Sequence, residues 1–124
     1  MIHLDANVVL RYLLQDDMAL FQRAVAVIDS QEDIYLANEV LAEVVYVLQK
    51  VYAVERSVLS SRLSGLLARK NVTAPNKKTA LEALRLYADR YVDFVDALLV
   101  AKFRGENARI LSFDDRVNKL LREN

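Results

Sequence analysis

The sequence holds no cysteine, a single histidine, and only two glycines and one proline among its 124 residues. Without cysteine there are no disulfides, thiolate metal ligands or cysteine nucleophiles, which fits a reducing cytoplasm. One imidazole, His3, rules out a histidine-rich zinc site. So little glycine and proline leaves no flexible linker and little room for a turn-rich all-β fold. No apolar run approaches the ~20 residues that cross a bilayer. The start, Met1-Ile2-His3-Leu4-Asp5, resembles neither a basic leader nor a long apolar one, so a cytoplasmic protein without membrane contact is expected. There is also no excess charge of either sign, since 17 acidic and 17 basic residues balance. Net charge is therefore silent about nucleic acid. The chain carries no glycine-rich phosphate loop, no Walker motif and no Gly-x-Ser-x-Gly elbow.

What is present is apolar material, 54% of the chain, enough for the core of one domain over residues 1–124. Short apolar runs at 1–4, 34–36, 71–74 and 109–112 read as strands. Helical periodicity occupies 7–14, 16–28, 38–51, 55–69, 77–91, 94–104 and 116–122, with Asn38 as a candidate N-cap. Strands alternating with helices predict an α/β fold with a mostly parallel sheet covered on both faces. Ligands of such sheets bind beyond the carboxyl ends of the strands.

Four acidic residues sit where carboxylates are hard to explain by solvation alone. Asp5 (Leu4-Asp5-Ala6-Asn7) follows the first strand, and Asn7 adds a second polar oxygen nearby. Glu43 lies at the border of an apolar arc formed by Val40, Leu41, Val44, Val45, Val47, Leu48 and Val51. Asp96 rides on a helix, Phe94 to Phe103, that is apolar around nearly its whole circumference and is expected to be buried. Asp114 follows the last expected strand, with Ser112 two residues before it and Asp115 after it.

Each position has an ordinary alternative. Asp5, Asp93, Asp114 or Asp115 can cap a helix, and Asp96 can complement a helix dipole or complete a weak capping box with Asp93. Glu43 can be a solvated edge residue. Asp5 and Asp114 are expected on the same rim, and four carboxylates on one rim would repel unless they bound a cation. Oxygen donors of this kind suit Mg²⁺ or Mn²⁺, which can activate water and neutralise charge in phosphodiester hydrolysis.

The same residues resemble a PIN domain, and in particular the VapC type of toxin ribonuclease. The resemblance runs from Met1-Ile2-His3-Leu4-Asp5-Ala6-Asn7 through Val40-Leu41-Ala42-Glu43-Val44 and Phe94-Val95-Asp96-Ala97-Leu98 to Leu111-Ser112-Phe113-Asp114-Asp115. It implies a three-layer α/β fold with a short, mostly parallel central sheet of four to five strands flanked by helices. It also implies that Asp5, Glu43, Asp96 and Asp114 are the catalytic metal ligands, with Asn7, Ser112, Asp93 and Asp115 in support. Ser112 stands where the family has Thr, and Val117 where it often has an aromatic. The implied activity is Mg²⁺- or Mn²⁺-dependent cleavage of RNA by a homodimer controlled by a VapB-like antitoxin. Spare apolar surface on the helices around 44–51 and 59–67 is expected to form the dimer contact.

Two other phosphate-handling classes fail at the first strand. A haloacid-dehalogenase-like site would need a second acid where Asn7 stands, and a receiver domain would need an acidic pair there. A PIN-like scaffold that binds RNA or protein without cutting is the alternative from a different class.

Overall fold

The computed structural model describes residues 1–123. Its elements run β1 (Ile2–His3), α1 (Ala6–Leu14), α2 (Met18–Ile28), β2 (Ile34–Tyr35), α3 (Asn38–Lys50), α4 (Arg56–Leu67), β3 (Val72–Thr73), α5 (Lys77–Arg90), α6 (Phe94–Glu106) and α7 (Asp115–Arg122). The three strands form one parallel sheet in the order β1-β2-β3. In register, Ile2, Ile34 and Val72 make one row and His3, Tyr35 and Thr73 the next. The first row turns into the core, where Ile34 and Val72 are fully buried. Parallel strands need long crossovers, and a pair of helices fills each one: α1 with α2, then α3 with α4.

Helix ends follow local chemistry. Asp17 caps α2 by accepting the Leu20 N–H at 3.1 Å, and Asn76 caps α5 by accepting the Thr79 N–H at 3.0 Å. α3 begins one residue earlier than the asparagine suggested: Ala37 holds the N-cap position and Asn38 is already helical. α5 and α6 stop at Tyr91 and Asn107, both left-handed with φ of 56° and 57°. That conformation ends a helix cleanly even without glycine.

α5 is the central helix of the second half, packed between α4 and α6, and α7 closes over α6. Polar bonds pin these contacts. The buried Ser60 hydroxyl donates to the Leu84 carbonyl at 2.9 Å, and the Tyr87 hydroxyl donates to Gln49 Oε1 at 2.8 Å.

Three expectations need correction. The sheet has three strands among the described residues, not four to five, because residues 109–112 join no ladder. There Leu111 is 86% and Phe113 94% exposed, so the apolar run that suggested a strand has no partner to bury it. α6 is not buried all round, since Val95 and Phe103 keep an exposed face while Phe94, Ala97, Leu98, Val100 and Ala101 enter the core. Finally, Val44, Val45, Leu48, Leu59, Leu63, Leu66 and Leu67 are consumed by the chain's own core. The apolar surface left on α3, α4 and the turn between them is Tyr46, Val51, Tyr52 and Val58.

Candidate active site

The turn between α5 and α6 and the start of α7 bring four acids to one cleft. Asp93, Asp96, Asp114 and Asp115 line it together with Val92 and Arg116, around a volume of about 330 Å³. Two short-range features of the chain produce this. The left-handed Tyr91 ends α5 and turns the backbone into α6, so that Asp93 and Asp96 lie at its first turn. Asp114 ends the irregular stretch after α6 and starts α7.

Asp93 occupies the N-cap position of α6, but its side chain makes no capping bond. The capping box considered for Asp93 and Asp96 is therefore not formed, and neither carboxylate is used in ending the helix. Asp96 is half-buried, and its carboxyl is pushed above the ordinary aspartate range, first by burial and then by the negative charges of Asp93 and Asp114. A buried carboxylate facing like charges with no cation is in a costly position.

Asp114 does serve as a helix cap. Its Oδ1 accepts the Arg116 N–H at 2.8 Å and the Val117 N–H at 3.1 Å. Both bonds fall on the same oxygen, so Oδ2 is not spent on capping. Ser112 supports the turn: its hydroxyl accepts the Asp114 N–H at 3.0 Å, and its carbonyl accepts Asn118 Nδ2 at 2.9 Å.

The other two acids stand outside this cleft. Asp5 lies just past the carboxyl end of β1 as the N-cap residue of α1, exposed, with its carboxylate free of any capping bond. Its backbone carbonyl alone accepts the Val8 and Val9 N–H groups. Asn7 is exposed in the first turn of α1. Glu43 is exposed in the second turn of α3, whose N-terminus directly follows β2. The structure thus brings Asp96 and Asp114 together with Asp93 and Asp115, and it does not bring Asp5 or Glu43 into the same cavity. Asp114 reaches its place from a loop rather than from a strand end.

As donors, these groups suit a hard divalent cation, being carboxylate oxygens without sulfur or clustered nitrogen. Among the described residues no three His, Cys, Asp or Glu side chains stand close enough to hold a metal ion as they are. The set fits a hard divalent cation in chemical kind.

Two arginines shape the cleft, and of these Arg56 was missing from the sequence-based site. Arg56, at the start of α4, donates through Nη1 to the carbonyls of Tyr87 and Val92, both at 2.8 Å. Its guanidinium also lies 4.2 Å from the Tyr87 ring centroid and 5.1 Å from that of Tyr91. It therefore clamps the corner that carries Asp93 and Asp96. Arg116 lines the cleft and donates to the Tyr91 carbonyl at 3.4 Å. Nothing local in the sequence marks Arg56, because its partners lie 31 and 36 residues away.

A family model described as PIN domain matches residues 2–122, nearly the whole chain. No curated protein and no solved structure gives a significant match. No helix among the described residues is long and apolar enough to cross a membrane.

Proposed function

The chain belongs to the PIN-domain family, and from that premise we propose that it is a Mg²⁺- or Mn²⁺-dependent endoribonuclease, the toxin of a VapBC-type pair. PIN domains are in general metal-dependent nucleases that act on RNA. The observation that carries the reading for this chain is Asp96, half-buried and set against Asp93 and Asp114 in a cleft open to solvent. A cluster of four carboxylates beside a single guanidinium is a poor way to stabilise a fold and a good way to attract a cation.

In this reading Asp96 and Asp114 hold the cation from the cleft, and Asp5 and Glu43 complete the ligand set from β1 and α3. A divalent ion held there supplies Lewis-acid polarisation of the phosphate and a more acidic water. The chain's own groups orient the substrate: Ser112 and the α7 cap fix Asp114, Arg56 fixes the corner before Asp96, and Arg116 offers the phosphate a guanidinium. Asn7, Asp93 and Asp115 support the ligands by hydrogen bonding or by added negative field.

The homodimer and a VapB-like antitoxin belong to the same proposal. Tyr46, Val51, Tyr52 and Val58 are the exposed apolar groups on α3, α4 and their connecting turn that a second copy would cover. The antitoxin would occupy the cleft in place of RNA.

The test is cleavage of single-stranded RNA with and without Mg²⁺ or Mn²⁺. Asp96→Asn and Asp5→Asn are each expected to abolish cleavage while circular dichroism stays native. Wild-type turnover by either variant at saturating metal would remove that residue from the ligand set. A second reading, a scaffold that binds without cutting, is favoured by the lack, among the described residues, of three acidic side chains grouped closely enough to hold a metal ion. Calorimetric titration with Mn²⁺ distinguishes them, since the scaffold needs no cation.

A further inference from the structure

Beside the acidic cleft lies a second cavity of about 300 Å³, lined by Asp89, Arg90, Tyr91, Val92, Arg116, Lys119 and Leu120. The two cavities share Val92 and Arg116. Their electrostatic characters are opposite. Four carboxylates and one cation, Arg116, line the first, whereas three cations, Arg116 among them, and one carboxylate line the second. That one carboxylate, Asp89, is within 3.5 Å of Arg85.

The cations are not equivalent. Arg90 is committed to Glu123, with two parallel hydrogen bonds between guanidinium and carboxylate. Arg116 and Lys119 form no ion pair among the described residues. They lie three residues apart on α7 and so share one face of that helix. Arg116 is also held in place, since its Nη1 donates to the Tyr91 carbonyl at the boundary of the two cavities. A guanidinium spent only on a neutral carbonyl keeps most of its donors for an anion.

We infer that the cavity of Arg116 and Lys119 is a phosphate subsite, which takes a backbone phosphate of single-stranded RNA next to the one presented to the acidic cleft. The inference rests on the nuclease reading for the identity of the polyanion. The physical logic is that RNA approaching a carboxylate cluster is repelled, and cations beside the cluster offset that repulsion while setting the direction of the strand. The two cavities adjoin along α7, so a strand crossing both places successive phosphates on opposite chemical environments.

The test uses the full chain with Asp96→Asn as background, so that RNA is bound but not cut. A fluorescein-labelled single-stranded RNA of about twelve nucleotides is titrated by anisotropy at several salt concentrations, with Mg²⁺ present. Adding Arg116→Gln and Lys119→Gln is expected to weaken binding roughly tenfold and to make the salt dependence shallower by about 1.4, the value for two lost phosphate contacts on a single strand. Lys119→Gln alone, outside the lining of the acidic cleft, is expected to give about half of that slope change. An unchanged affinity and slope in the double variant would overturn the subsite, as would tight binding of a polyglutamate peptide with none of RNA. Failure of the wild-type chain to cut any RNA would instead count against the nuclease reading, and the binding comparison remains decisive for the subsite.

Discussion

Replacing Arg56 with methionine should destabilise the protein by about 3 kcal/mol, although Arg56 is neither in the core nor in the cleft. The figure follows from what the guanidinium touches. α5 ends at Tyr91, and the Tyr87 carbonyl belongs to the last turn, where helix carbonyls lack an intrahelical donor. Arg56 supplies that donor, and the same nitrogen also satisfies the Val92 carbonyl. Each hydrogen bond from a charged group contributes roughly 1.5–3 kcal/mol, and stacking on a tyrosine adds about 0.5–1 kcal/mol. Because the side chain is half-exposed the lower ends apply, and because one nitrogen serves both carbonyls their sum of about 3.5 kcal/mol falls to about 3 kcal/mol. A chain of this size should lose roughly 10 °C in Tm. Urea unfolding followed by circular dichroism measures the effect directly, with an unchanged slope as the sign that the native state is intact. Lysine at the same position keeps the charge but not the planar fork, so Arg56→Lys should fall between methionine and wild type. A loss below about 0.5 kcal/mol for Arg56→Met would refute the argument, since that is the scale of an ordinary surface change.

Asp96→Asn should raise the stability of the metal-free protein at neutral pH. A carboxyl whose pKa is raised by folding contributes stability that is fully present below its unfolded value, near 3.8, and lost as pH rises through its folded value. The variant's advantage over wild type should therefore shrink as pH falls from the folded value to the unfolded one and level off below it, and an advantage independent of pH would exclude the charge as its cause. Phe113→Ser and Leu111→Ser should each change unfolding free energy by no more than about 0.5 kcal/mol, because both rings and chains are exposed. A loss above about 2 kcal/mol would show that residues 109–112 are packed as a strand after all. Light scattering at micromolar concentration should report about twice the chain mass, and Tyr46→Lys with Val51→Lys should return it to one; a wild-type monomer at every concentration would remove the dimer.

The order of the helices and of the three strands was legible in the sequence because it depends on local pattern. Among the described residues, periodicity at 3.6 residues marked all seven helices, and the apolar residues that start Ile2–His3, Ile34–Tyr35 and Val72–Thr73 marked the three strands. The rarity of Asp on an apolar helix singled out Asp96, and the run Ser112-Phe113-Asp114 announced a helix start. What required the tertiary structure was every property that depends on a partner distant in the chain. Residues 109–112 have strand composition, but a strand exists only where another backbone takes up its N–H and carbonyl groups, and none does. Leu59, Leu63, Leu66 and Leu67 looked like spare surface until packing within the chain covered them. Asp93 looked like a cap, yet its carboxylate forms no capping bond and instead lines a cleft with Asp114, brought from the far side of α6. Arg56 was indistinguishable from other surface arginines in the sequence. Its importance comes from carbonyls at Tyr87 and Val92, which only the folded chain places within hydrogen-bond reach, as it does the Tyr91 carbonyl for Arg116.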